Sequence, residues 1–269
     1  MVSLARLRTL VFYGFQPPSL LLEHLLIPVG TEMRIDLDDD GPQIEDFLPI
    51  SSLDNLRNFS NFTKIHLHFR SGIVSMQFAG PNGRVLTTAM STGADADSSV
   101  AQSLAVLDTS KTKWLEIVGC EPLSGGFYRA LLSMKNLRTL TLSLCKDLRS
   151  FVLVLVPIPN STNPMACPRL EEVTFRTAEW FDIEIMVKVA AERASRGSPL
   201  KSISIINWGE LVPREGTREL LQHVSHVETS FEKTNVDFGI AVHLDYGDGD
   251  SSDEEDWEGG SSGDDSNIS

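Results

Sequence analysis

One spacing recurs along this chain and limits what it can become: an apolar residue, two variable positions, an aliphatic residue, one variable position and a third apolar residue. It reads Leu7, Leu10, Phe12; then Phe62, Ile65, Leu67; then Leu137, Leu140, Leu142; then Leu170, Val173, Phe175; and then Leu200, Ile203, Ile205. Incomplete copies sit at Ile35 and Leu37, at Leu115 and Ile117, and at Val224 and Val227. The alternation at the end of each copy is the period of a β-strand, whose successive side chains point to opposite faces. The last two anchors are therefore expected in a core, with the residues around them facing outward. A lone copy leaves its apolar face uncovered and the next copy covers it, so such units fold only as a stack.

The middle anchors fall at 10, 35, 65, 115, 140, 173, 203 and 227, with steps of 25, 30, 50, 25, 33, 30 and 24. The long step calls for an insertion. Ile73 to Phe78 and Arg84 to Met90 are strand-like runs flanking Ala79-Gly80-Pro81-Asn82-Gly83, a turn signal, which predicts a β-hairpin projecting from the stack at about 70–92. Between strands, helical spacing and punctuation predict helices over Ser19 to Ile27 after Pro17-Pro18, over Ser98 to Leu107, and over Phe181 to Ala194 before Gly197.

Strand and helix thus alternate, and the period and pattern are those of a leucine-rich repeat. The expected fold is α/β: an irregular leucine-rich-repeat solenoid over 1–240, of about eight parallel strands with helical or irregular convex segments and the one inserted hairpin. A disordered acidic tail is expected over 241–269. The formal charge of the 269 residues is -14, and Asp245 to Ser269 hold ten acids and no Lys or Arg, which leaves about -4 for the rest. Such a balance argues against nucleic acid and anionic membranes as partners. The most apolar run, Phe151 to Ile158, is far shorter than the ~20 residues that span a bilayer. No secretion signal or anchor is read at the start. Cys120, Cys145 and Cys167 are odd in number and form no CxxC pair, which fits a reducing compartment. An intracellular protein, cytoplasmic or nuclear, is expected, in which the sequons at Asn58, Asn61, Asn160 and Asn267 stay unglycosylated.

Two copies continue to a cysteine at one offset, Leu115-Glu116-Ile117-Val118-Gly119-Cys120 and Leu140-Thr141-Leu142-Ser143-Leu144-Cys145. This L-x-L-x-x-C form resembles the cysteine-containing leucine-rich repeats of F-box proteins. The irregular spacing and the segment Phe69 to Gly80 look like the fungal F-box-like repeat proteins, over roughly residues 1 to 232. The resemblance implies the substrate-recognition part of a ubiquitin-ligase receptor. The adaptor-docking F-box itself has no place here, since the first strand begins near Leu7. A ligase adaptor is therefore expected as a partner only if an F-box lies upstream. The alternative is a stand-alone repeat scaffold, or a fragment, with no ubiquitin role.

No G-x-S-x-G elbow, Walker loop, H-E-x-x-H or G-x-G-x-x-G stands in a supporting context, so neither an enzyme nor a cofactor is expected. His66 and His68 alternate on one strand face but lack a third ligand by sequence, so no metal is expected. Cys120 and Cys145 read as small buried side chains under the strand exits. Binding is expected on the concave face, through the outward positions Lys64, His66, His68, Thr139, Thr141, Ser143, Glu172, Thr174, Arg176, Ser202 and Ser204. Their mixed chemistry suits a protein or peptide target, bound by a monomer.

The tail is too charged and too poor in apolar groups to fold alone, and Trp257 within it is a candidate docking anchor. Ser251 and Ser252 each have an acid three residues on, Glu254 and Glu255, the pattern that acid-directed kinases favour. Phosphate on both serines is the expected outcome of mass spectrometry on the native protein; both unmodified under every growth condition would remove the idea.

Overall fold

The computed structural model describes residues 2–3, 6–13, 22, 24–28, 30–37, 62–70, 72–81, 83–91, 100–101, 103–105, 107–120, 125–156, 165–177, 182–207 and 214–231. All lie in the first of two units, Met1–Lys233. The acidic tail with Ser251, Ser252 and Trp257 lies outside the described residues.

Each apolar copy becomes a strand. In chain order the strands are β1 (Val2–Ser3), β2 (Thr9–Tyr13), β3 (Leu25–Leu26), β4 (Glu32–Leu37), β5 (Lys64–Arg70) and β6 (Ile73–Gly80), followed by β7 (Gly83–Ser91), β8 (Trp114–Val118), β9 (Thr139–Ser143), β10 (Glu172–Thr177), β11 (Ser202–Asn207) and β12 (His226–Phe231). Helices α1 (Gly125–Ser133), α2 (Leu148–Val154), α3 (Ile183–Ser195) and α4 (Arg214–Leu220) join β8 to β12 one step at a time. Ten strands form one sheet in the order β12-β11-β10-β9-β8-β5-β6-β7-β4-β2, which does not close on itself. Only β6 runs against the others. The eight strands read from the sequence are all present and all parallel.

Two apolar rows cross the sheet from end to end. The first passes through Leu10, Met33, Leu86, Phe78, Ile65, Leu115, Leu140, Val173, Ile203 and Val227 as paired neighbours. The second passes through Phe12, Ile35, Thr88, Met76, Leu67, Ile117, Leu142, Phe175, Ile205 and Thr229. Most of these residues are buried, and each aliphatic side chain so removed from water contributes roughly 1.5–3 kcal/mol. Phe127, Leu131, Phe151, Ile183, Met186 and Val189 of the helices join the same core.

Three expectations need correction. The hairpin does not project from the stack. β6 stands in full ladder with β5, and β7 pairs with β4. Val74, Met76, Phe78 and Leu86 are buried, and a projecting hairpin would leave that apolar face in water. Ile35 is a last anchor and not a middle one, because Leu10 pairs with Met33. The end of the helix read over Ser19 to Ile27 is strand instead: Leu25 and Leu26 pair in parallel with Val2 and Ser3.

Other local readings hold. Helix α3 starts at Asp182, whose carboxylate accepts the Ile185 N–H at 3.3 Å, and ends at Gly197, where φ is 75°. There Ser198 N–H reaches the Arg193 carbonyl at 3.0 Å, the cap that a left-handed glycine allows. Gly119 at the exit of β8 has φ 72° and the Phe69 carbonyl oxygen 2.4 Å from where a Cβ would sit, so only glycine lets the chain pass there. No helix among the described residues is long and apolar enough to cross a membrane.

One buried row member is out of character. Thr88 sits between Ile35 and Met76 with 0 % exposure and no partner for its hydroxyl. A buried hydroxyl without a hydrogen bond costs about 1–3 kcal/mol, and valine has nearly its shape. Thr88→Val is expected to stabilise the protein by about 1 kcal/mol or more, seen as a higher urea midpoint at unchanged slope. A lower midpoint would show that the hydroxyl is engaged.

Candidate functional site

The helices cover one side of the sheet, and strand alternation sends the remaining side chains to the other. All eleven residues singled out from the sequence stand on that second face. Lys64, Thr139, Glu172 and Ser202 lie along its lower row, with Trp114 between Lys64 and Thr139. His66, Thr141, Thr174 and Ser204 lie along the middle row, with Glu116 between His66 and Thr141. His68, Ser143 and Arg176 form the upper row, with Val118 between the first two.

These residues do not contribute equally. Lys64, Glu172 and Arg176 are exposed and His66, His68, Thr139, Thr174, Ser202 and Ser204 are half-buried. Thr141 and Ser143 are only 7 % and 6 % exposed, so they make the floor rather than the contact surface. Their register neighbours Glu116, Val118, Thr174 and Arg176 flank them on both sides.

Sequence reading passed over Trp114, Glu116 and Val118, although they complete the site. The signal was present: the same L-x-L-x-x-C copy that marks Leu115 and Ile117 as inward marks its alternate positions as outward. Glu116 is the hub. Its Oε2 lies 3.0 Å from His66 Nδ1, and the His66 ring meets Trp114 edge to face with centroids 4.3 Å apart. The bond from His66 is the largest cause holding the Glu116 carboxyl below its usual range; burial opposes it, and the charges of His66, Arg176 and His68 add to it. His68 is shifted down, first by burial and then by Arg70, with Glu116 acting the other way. Farther along, the Thr139 hydroxyl donates to Glu172 Oε2 at 3.2 Å. Toward β2, Arg34 Nε donates to Asp36 Oδ2 at 2.9 Å.

The thiols lie on the core side. Cys120 and Cys145 are buried at equivalent exits of β8 and β9, and Lys146 N–H donates to the Cys120 carbonyl at 2.9 Å. Burial pushes the Cys145 thiol up to about 11, against hydrogen bonding near Cys120 and Ser143. Cys167 is pushed up to about 12 by burial, opposed by Arg193. Neutral thiols are poor nucleophiles. Arg193 is itself buried, donating to the Ala166 and Cys167 carbonyls at 3.1 and 2.8 Å, so it ties α3 to the segment before β10. Among the described residues no group of three or more His, Cys, Asp or Glu is arranged to hold a metal. A cavity of about 610 Å³ opens on the helical side, lined by Leu104, Leu107, Thr109, Arg129, Ala130 and Ser133 among others.

Set against protein-family models, curated proteins and solved structures, the chain finds no match.

Glu116 gives the face a measurable pH signature. A carboxyl whose folded pKa is depressed adds stability that is present above its unfolded pKa, about 4.3, and lost as pH falls through the lower folded value. Glu116→Gln is therefore expected to lower the urea midpoint at pH about 7 and to lower it less near pH about 3, below the unfolded value. An equal deficit at both pH values would place the effect in packing instead.

Proposed function

We propose that the chain is an irregular leucine-rich-repeat solenoid acting as a protein–protein interaction module, with the polar sheet face receiving a protein or peptide target. One observation carries this reading: β8 to β12 are neighbours in chain order, parallel, and joined by described helices that pack on the side of the anchors. Parallel sheets ordinarily have both faces covered. Among the described residues the other face carries no helix and is mostly polar, which matches the way repeat stacks present a binding surface.

The narrower reading is the substrate-recognition part of an F-box-like ubiquitin-ligase receptor. It rests on the two L-x-L-x-x-C copies, whose cysteines are buried at matching strand exits. The face holds the target by shape and dispersed polar contacts, and ubiquitin transfer is arranged elsewhere.

Half-buried Thr174 and Ser204 are adjacent in the middle row, so Thr174→Arg with Ser204→Arg fills the face without touching the core. Crosslinking capture from the native cells is expected to recover a protein with the wild type and lose it with this variant. The same protein is expected to lose ubiquitin and live longer when the gene is deleted. Capture indifferent to the substitutions would overturn the binding face. Face-dependent capture with unchanged ubiquitination would leave the stand-alone scaffold.

A further inference from the structure

Strand β5 reads Lys64-Ile65-His66-Leu67-His68-Phe69-Arg70, and with Ile65 and Leu67 fully buried its alternate side chains go to the open face. Lys64, His66, His68 and Arg70 thus form a stripe of four basic side chains spaced about 6.8 Å apart and about 20 Å long. The stripe crosses the middle of the sheet, sixth of its ten strands. It is not a by-product of composition, because the chain as a whole carries -14. On one side, β6 and β7 present Ser75, Gln77, Thr87 and Ala89 beside the histidines, four residues without charge. On the other stand Trp114, Glu116 and Val118, and the carboxylate of Glu116 is taken by His66.

We propose that this stripe recognises an acidic, extended peptide segment of the partner, with carboxylates meeting Lys64 and Arg70 at the ends and the two imidazoles between them. The proposal rests on the binding-face reading above and specifies the chemistry of the target. An extended chain has the same repeat of about 6.8 Å for alternate side chains, so every second residue of the segment meets one member of the stripe. Ser75, Gln77, Thr87 and Ala89 of β6 and β7 take the peptide body. A nucleic acid fits worse: Glu116, Glu172 and Asp36 share the face, and a phosphate backbone needs continuous positive surface.

The imidazoles also make binding depend on pH. The groups facing them are Ser75 and Gln77 from β6 and Trp114, Glu116 and Val118 from β8, with Lys64 and Arg70 on β5 itself and the Arg176 charge reaching Glu116. Protonation adds positive charge to the stripe as pH falls, and burial holds the His68 imidazole below the usual histidine range.

The test uses the full chain and fluorescence anisotropy of labelled peptides of about twelve residues, alternating Ser with Glu, Gln or Lys, beside an oligothymidine of equal charge. The Glu peptide is expected to bind about tenfold tighter than the Gln peptide, to lose about tenfold in Lys64→Glu/Arg70→Glu, and to tighten severalfold from pH about 7.5 to about 5.5. Lys64 and Arg70 are exposed, and an unchanged urea midpoint verifies that the variant folds. A Gln or Lys peptide or the oligonucleotide binding as tightly, or a Glu peptide insensitive to the double substitution, would overturn the acidic partner. If such a peptide is instead lost with Thr174→Arg/Ser204→Arg, the binding face survives and only its proposed chemistry falls. Targets captured from cells regardless of every face substitution would remove the face as well.

Discussion

The structure depends on register. Ten strands hold two apolar rows in line, so that Ile65 meets Leu115, Leu115 meets Leu140, and Leu140 meets Val173 without a slip. A shift of one residue in any strand would send its anchors to the open face and its polar residues into the core. That penalty is repeated at every strand, which is why unequal steps between copies do not disturb the stack. Extra length is taken up in the connections, and where it is greatest the chain adds two strands to the sheet.

Helices then decide which side becomes the surface. They pack on the side of the anchors, leaving the outward rows, mostly polar with Trp114 and Val118 among them, on the other face. Its centre is organised by Glu116, bonded to His66 and flanked by Trp114. Exposed ion pairs at the strand beginnings, such as Lys201 Nζ to Glu171 Oε2 at 3.1 Å, add little, about 0–1 kcal/mol each. Burial of the two rows carries the stability, while the polar face is free to vary its chemistry without endangering the fold.

Much of this was legible because the signals were local. Alternating anchors gave eight of the strands, and Asp182 with Gly197 framed α3. The readings that failed depended on distant partners. The hairpin runs looked the same whether they projected or paired; only the neighbouring β5 and β4 offered the apolar face of Val74, Met76 and Phe78 a place to go. Ile35 was misassigned because Met33 and Ile35 are both apolar at strand spacing, and pairing with Leu10 and Phe12 chose between them. Leu25 and Leu26 lay in a helix-like run until Val2 and Ser3 supplied an edge. Helices α1, α2 and α4 were not foreseen: α1 and α4 are rich in glycine or charge, and α2 is a short apolar run that periodicity cannot tell from a strand.

The same division applies to the candidate site. The period of two by itself determined which residues face outward, because side-chain direction in a strand follows from position alone. The tertiary structure decided which of them can be reached. Thr141 and Ser143 sink between Glu116, Val118, Thr174 and Arg176, while Lys64 and Arg176 stay exposed, since exposure depends on the neighbours that pairing brings alongside. It also placed His66 against Glu116 across 50 residues of sequence, a contact that no local spacing encodes.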